Sequence, residues 1–324
     1  PAGEAALSTY LYSHDNRRIL TTPRYSAYIK IAEGCNHKCS FCVIPSIRGL
    51  YRSRTPESVV KEARILAGQG VRELNLVAQD STLYGQDLGI REGLSLLLRD
   101  LSGVDGIEWV RFLYTYPNSI TPALLETVAE YPEICSYIDV PLQHVASSVL
   151  KAMNRGGSPE SSRALIKKIR GTVPDAVLRT TFIVGYPGET EDDFQELIDF
   201  VGEVEFDHMG VFTYSDEEGS PAFFHENKIP DALKQDRLDQ HMSLQSGISL
   251  QNNLKRIGET ITFLVDGVSD ETDMLWEGSH AGQAADIDGV VYLHDGIDES
   301  VRPVDFRTVR ISDAFEYDLA GGVE

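Results

Sequence analysis

Six apolar runs of β-type residues, separated by segments with helical spacing, limit the possible folds of this chain more than any other feature. The runs are SAYIKIAEG (26–34), ELNLVAQ (73–79), WVRFLYTY (109–116), CSYIDVPL (135–142), AVLRTTFIVG (176–185) and DHMGVFTYS (207–215). Between the first two, RTPESVVKEARILAGQG (54–70) places Val59, Val60, Ala63, Leu66 and Ala67 on one helical face and ends in glycine. Its Thr55–Pro56 start pairs an N-cap oxygen with a proline at the first helical position, where a missing N–H costs nothing. Thr121–Pro122 and Ser158–Pro159 repeat that signal, and Thr190 followed by Glu191, Asp192 and Asp193 opens a helix at 191–202 with charges suited to its N-terminal dipole. Repeated strand–helix alternation implies a parallel sheet with right-handed crossovers. An open doubly wound sheet and a barrel or partial barrel both satisfy it. No G-x-G-x-x-G follows the first run, which weakens a dinucleotide fold. In a barrel, functional groups gather at the C-terminal ends of the strands.

Outside this α/β region the texture changes. The first 25 residues are poorly patterned and read as a leader or linker; because the chain starts at Pro1, a fragment of a longer protein is expected. A long helix is predicted at 231–255, with Leu233, Leu238, Met242, Ile248 and Leu254 as packing candidates. Residues 258–324 carry short β-like runs, ETITFLVDG, TDMLWEG, GVVYLHDG and VRPVDFRTVRIS, between Gly/Asp/Ser turns, which predicts a small antiparallel β-barrel. The expected division is a leader at 1–25, an α/β domain at 26–257 and the small barrel at 258–324.

Charge narrows the partners. The 324 residues hold 29 Lys+Arg and 50 Asp+Glu, a net of −21. Of this, −13 falls on residues 258–324, where 16 acids face only Arg302, Arg307 and Arg310. Such a tail gains nothing from counterion release on a phosphate backbone, which disfavours direct nucleic-acid binding and favours a basic protein surface. A generally acidic, solubility-driven composition is the alternative. No run approaches eighteen apolar residues and the start lacks a basic-then-apolar signal, so spanning and secreted readings are disfavoured and a cytoplasmic location is expected.

Three of the four cysteines, Cys35, Cys39 and Cys42, fall within eight residues directly after the first strand, in AEGCNHKCSFCVIP. Disulfide frameworks spread even numbers of cysteines along short secreted chains, so a metal or redox site fits better. Thiolates at C-x3-C-x2-C spacing can hold three irons of a four-iron, four-sulfur (4Fe-4S) cluster and leave the fourth iron open. Zinc and three buried free thiols compete with that reading. Cys135 stands alone and reads as a buried strand residue. His14, His208, His225, His241, His280 and His294 show no ligand spacing.

This cysteine loop, with Phe41 just before its last cysteine, resembles the signature of radical S-adenosylmethionine (SAM) enzymes. RGLYRSRTPE (48–57), LVAQDSTLYG (76–85), DVPLQHVASSVLKAMNR (139–155), FIVGYPGETEDDF (182–194) and FTYSDEEGSPA (212–222) are similar to the methylthiotransferases, which end in a TRAM barrel. The resemblance covers about residues 25–324. Pro141-Leu142-Gln143-His144 and Ser215-Asp216-Glu217-Glu218-Gly219 look like the RimO-type branch, which modifies protein twelve of the small ribosomal subunit. The MiaB-type, tRNA-modifying branch tends to carry a Gln-Ser-Gly run and a Pro-Arg pair there. A non-catalytic, cluster-bearing binding module is the third reading.

The resemblance implies a partial (β/α)6 TIM-like radical SAM barrel followed by TRAM, with Cys35, Cys39 and Cys42 as the cluster ligands. It also implies SAM on the open iron, an electron donor such as flavodoxin or ferredoxin, and transfer of a methylthio group to the β-carbon of an aspartate. A second 4Fe-4S cluster belongs to an N-terminal domain that nothing here matches, so it is expected only in the full-length protein. Phe41, Gln79, Asp80, Gln143, Arg155, Gly185, Phe212 and Tyr214 are the implied SAM contacts. Arg155 would grip a carboxylate bidentately, and the Gly185–Pro187–Gly188 turn would let adenine approach the backbone. Each has a structural alternative: core packing for the aromatics, a hydrogen-bonded turn at 79–80, a helix-end charge at Arg155, a plain chain reversal at Gly185. His144 divides evenly between a cofactor or substrate contact and a satisfied core residue. Arg48, Arg52 and Arg54 concentrate positive charge beside the loop, facing SAM, the unmatched domain or solvent.

Overall fold

The structure, a computed structural model, describes residues 11–16, 18–269, 272, 274–284, 287–297 and 301–324. After β1 (Ser26–Lys30) come a two-residue strand β2 (Ala32–Glu33), a short helix α1 (Ile44–Arg48) and its antiparallel partner β3 (Arg52–Ser53). The order then runs α2 (Pro56–Gly68), β4 (Glu73–Val77), α3 (Gly93–Ser102), β5 (Trp109–Phe112), α4 (Pro122–Glu130), β6 (Tyr137–Asp139), α5 (Ser147–Ala152), α6 (Pro159–Thr172), β7 (Val177–Val184), α7 (Glu191–Val204) and β8 (His208–Thr213). β1, β4 and β5 pair in parallel, as do β6, β7 and β8. A parallel bridge between Val110 and Ile134 joins the two sets. The six strands therefore follow sequence order in one arc without the reversal of a doubly wound sheet. Among the described residues no ladder returns from β8 to β1. This is the partial barrel.

The helix starts form where local chemistry demands them. Thr55 accepts from Ser58 N and Thr121 from Leu124 N, while Ser158 and Thr190 make reciprocal capping boxes with Ser161 and Asp193. Helix faces carrying Val59, Leu66, Leu97, Leu125, Ile169 and Leu197 pack over Ile29, Leu74, Val110, Ile138 and Phe182 of the strands. Among the helices named so far, α1, α3 and α5 carry no side-chain cap hydrogen bond, and the sequence patterns above did not single them out.

The long helix α8 (Asp231–Lys255) has the expected span but not the expected face. It buries Lys234, Arg237, His241, Gln245 and Ser249, while Leu254 is exposed and Leu238 and Ile248 only partly covered. The reason is the surface it covers. Gln245 Nε2 donates to Phe206 O at 2.8 Å, Arg237 pairs with Glu189 at 2.7 Å, and His241 stacks on Phe182. A polar stripe satisfies backbone and carboxylate groups that an apolar one would strand.

The C-terminal strands β9 (Thr260–Val268), β10 (Trp276–His280), β11 (Val291–Asp295), β12 (Phe306–Ala314) and β13 (Leu319–Val323) close a barrel in the order β10-β11-β13-β12-β9. It is not wholly antiparallel, because β11 and β13 run parallel, and β13 lies outside the four runs visible in the sequence. This barrel stoppers the N-terminal mouth of the larger one. Arg111 donates to Ala281 O at 2.7 Å, Tyr137 to Asp288 at 2.7 Å, and His208 Nε2 lies 2.9 Å from Gly282 O. Trp109 meets Phe306 edge-on at 4.9 Å. Of the expected leader, residues 1–10 and 17 lie outside the described residues; Arg18 bridges Tyr28 O and Glu62. Among the described residues no helix is long and apolar enough to cross a membrane.

Candidate active site

The three clustered cysteines occupy the loop that leaves β2 and returns at β3, at the C-terminal mouth of the barrel. Gly34 is required at its root: φ is 85°, and a Cβ there would stand 2.3 Å from Leu50 O. Cys35 N donates to Gly49 O and Tyr51 N to Asn36 Oδ1, closing the loop on itself. All three thiols are free; Cys35 and Cys39 are buried and Cys42 is half-buried. Burial pushes the Cys35 and Cys42 thiols up, opposed by the N–H groups of His37 and Ile44 respectively, and Cys35 also feels Cys39 and Cys42. Arg155 Nη1 lies 3.5 Å from Cys39 Sγ. Each sulfur thus has a donor ready for a thiolate. Among the described residues no three His, Cys, Asp or Glu side chains converge tightly enough for one metal ion. A four-iron cluster, wider than one ion and taking each thiolate on a different iron, fits this trio better than zinc does.

The thiols open onto a cavity of about 420 Å³. Phe41, Gln79, Asp80, Gln143 and Arg155 line it, bringing five of the sequence-expected contacts together. Gln79 Oε1 is buried with no hydrogen-bond partner, an acceptor left for a ligand donor. Gln143 sits at φ 71°, turned into the wall by a bridge to Phe182. Arg155 lies 4.7 Å over the Tyr116 ring and donates to Pro141 O at 3.0 Å. Of the cavities of similar size elsewhere, the 440 Å³ one between α3 and α4 carries no thiol, and the 450 Å³ one against the C-terminal barrel carries the lone Cys135.

Asp80 is spoken for on both oxygens. One meets His37 Nε2 at 2.6 Å; the other accepts from Thr82 N at 2.9 Å and from the Thr82 hydroxyl. It therefore braces the cysteine loop through His37, whose ring stacks on Tyr116 at 3.9 Å. His37 and Tyr116 are lining residues that the sequence reading missed, since only the fold brings residues 37, 80 and 116 together.

Gly185, Phe212 and Tyr214 do not line the cavity. Gly185, at φ 74°, faces α8, where a Cβ would stand 2.3 Å from Lys234 Cγ. Tyr214 lies one layer behind Phe41, edge-on to Tyr186 at 5.3 Å, with its hydroxyl on Asp216 at 3.0 Å. Phe212 is 62% exposed on β8. His144 is fully buried, accepts Ala146 N at Nδ1, and is pushed down to about 3 by burial. It is thus neutral, and its 3.8 Å approach to Glu189 is no ion pair. Arg54 faces neither cavity nor solvent: it is buried against Glu62 at 2.6 Å. Arg48 remains exposed beside Glu33.

Residues 29–201 match the radical SAM superfamily and residues 257–323 the TRAM domain. The ribosomal protein uS12 methylthiotransferase RimO of Solibacter usitatus is 47% identical over 99% of this chain and 70% of its own length. The chain belongs to the RimO family. RimO of Koribacter versatilis is 49% identical over 97% of this chain and 63% of its own length, and that of Pelotomaculum thermopropionicum is 49% identical over 96% and 70%. The chain thus spans about two thirds of the length of these RimO relatives. Among solved structures, the radical SAM coproporphyrinogen III oxidase of Escherichia coli aligns at TM-score 0.55 and 18% identity, covering 70% of this chain and 53% of that one. The methyltransferase TsrM of Kitasatospora setae aligns at 0.52 and 16%, covering 70% and 56%. Both share its barrel fold.

Proposed function

We propose that this chain carries the radical SAM and TRAM parts of an enzyme that adds a methylthio group to the β-carbon of an aspartate on uS12. The observation that carries the reading is the trio of loop thiols, each with its own donor, opening onto a cavity that holds an unpaired Gln79 oxygen and the Arg155 guanidinium. When bound, a 4Fe-4S cluster and SAM together supply a one-electron cleavage of the sulfonium. The protein's share is to hold and orient. Cys35, Cys39 and Cys42 would hold three irons, Gln79 Oε1 would accept from the methionine amine, and Arg155 would face its carboxylate. Phe41 and Tyr116 wall the cavity and keep water from a reactive carbon centre.

The TRAM segment at net −13 suits a cationic ribosomal protein and repels tRNA. In the full-length enzyme a second 4Fe-4S cluster would hold the sulfur, a flavodoxin or ferredoxin would deliver electrons, and the ribosome places the reaction in the cytoplasm. The test is to incubate the natural full-length protein, reconstituted without oxygen, with SAM and reductant, separately with uS12 and with tRNA. Mass spectrometry should find the methylthio group on the uS12 aspartate. A tRNA product would transfer the reading to the nucleic-acid branch, and absence of deoxyadenosine from every mixture would end it.

A further inference from the structure

Ser40 stands between the second and third cysteines, and every polar group it has is tied. Its N–H donates to Met153 O at 2.9 Å, its carbonyl accepts from Ala222 N at 2.8 Å, and its hydroxyl donates to Ala152 O at 2.7 Å. The same hydroxyl lies 2.8 Å from the hydroxyl of Tyr186, which is itself 3.0 Å from Ala152 O. Two hydroxyls thus share one acceptor at the C-terminal end of α5, where helix carbonyls lack intrahelical partners.

Tyr186 is fully buried and its backbone is fixed from behind. Glu189 Oε2 accepts from Gly185 N at 2.8 Å and Tyr186 N at 3.2 Å, while Glu189 Oε1 accepts from Arg237 of α8 at 2.7 Å. An unbroken set of hydrogen bonds runs from α8 through the turn after β7 to the main chain between Cys39 and Cys42. We propose that Tyr186 is a positioning residue for the cysteine loop: with Ser40 it holds the loop on Ala152 O and so fixes where the Cys39 and Cys42 sulfurs stand. The inference rests on the reading that this loop binds a cluster. Phe41 follows Ser40 and lines the cavity, so the same tie sets part of the cavity wall.

The shared acceptor gives the proposal a distinctive signature. Either hydroxyl alone satisfies Ala152 O, so removing one is mild and removing both strands a carbonyl. The natural full-length protein, its Tyr186→Phe and Ser40→Ala variants and the double variant are reconstituted without oxygen. Iron loss to a chelator and the electron paramagnetic resonance spectrum of the reduced cluster are then recorded. Each single variant should lose iron about two to three times faster than the parent and the double variant more than about twentyfold faster. The double variant's spectrum should also broaden, while metal-free melting stays within about 3 °C of the parent. Restoring one hydroxyl as Ser40→Thr on the Tyr186→Phe background should return the double variant to the single-variant rate. Parent-like iron loss in the double variant, single effects that merely multiply, or an unaltered spectrum would overturn the proposal. A parent protein that takes up no iron would instead overturn the cluster reading beneath it.

Discussion

The two mouths of the large barrel are built from the same kinds of side chain and put to opposite uses. At the N-terminal mouth, Arg111 and Glu73 pair at 3.0 Å with neither side chain exposed, and Arg179 pairs with Asp139 at 3.1 Å. Tyr137 reaches Asp288 of the TRAM barrel, whose loop fills the opening. At the C-terminal mouth the charges are held as firmly, Asp80 by His37 and Thr82, Arg155 by Pro141 O and the Tyr116 ring. Both ends keep a cavity and an unpaired buried oxygen, Glu73 Oε2 at the first and Gln79 Oε1 at the second, but among the described residues only the second opens onto three clustered thiols. Polarity alone does not mark a site. Unspent hydrogen-bonding capacity beside converging thiols does.

The largest effect should separate the mouths completely. Cys39→Ala removes one of the three proposed cluster ligands at the open end and touches nothing at the sealed one. Iron uptake and deoxyadenosine release should both fall to background, with circular dichroism and melting unchanged; a variant that still cleaves SAM would break the assignment of the open end.

Next comes the sealed end. Arg111→Met leaves Glu73 charged and alone in a fully buried site, a change that costs about 3–5 kcal/mol. Urea unfolding should register it, and proteolysis should release the TRAM barrel. Parent-like stability would show that the plug does not depend on this pair.

How much of this contrast is visible in the residues alone depends on range. The caps at Thr55, Thr121, Ser158 and Thr190 are local and were legible, as were the C-x3-C-x2-C loop and the six barrel strands. The face of α8 was not, because its buried stripe of Lys234, Arg237, His241, Gln245 and Ser249 is decided by what it packs against. Nor was β13, where LAGGV has little intrinsic strand preference and is paired across the barrel, in parallel with β11. Asp80 and Gly185 are expected from their motifs to contact the cofactor, but the groups they meet, His37 and Lys234, are distant in sequence.

Acid should act on the sealed end through His280. Burial, then the Arg256 guanidinium 2.9 Å from Nε2, hold it well below the ordinary 6.5, and Nδ1 accepts Gly282 N. The unfolded chain binds a proton below pH 6.5 that the folded one refuses, so stability falls as pH drops through that value, by up to about 1.4 kcal/mol per pH unit for each such histidine. His144 and His241, pushed by burial to about 3 and about 4, add the same sign. Glu189, pushed up to about 7 by burial, acts in the opposite sense, because its folded carboxyl takes up a proton that the unfolded one does not. Three histidines against one carboxyl still make the unfolding free energy decline from about pH 7.5 to 5, and His280→Gln should make that decline shallower. An unchanged slope would mean that the TRAM junction admits a proton without opening.

Gln79→Ala is the smallest of these changes and tests the open end most sharply. The parent already leaves Oε1 unbonded, so truncation gives up no intramolecular hydrogen bond made by that atom and should leave stability within about 0.5 kcal/mol of the parent. If the oxygen awaits the methionine amine, SAM binding to the reconstituted protein should weaken about tenfold, the cost of one hydrogen bond to a charged donor. Equilibrium dialysis with labelled SAM gives that ratio directly. The two measurements together decide what the orphan oxygen is. Weaker binding at constant stability makes it ligand-directed, as the contrast between the mouths requires, whereas unchanged binding would make the open end merely less well packed than the sealed one.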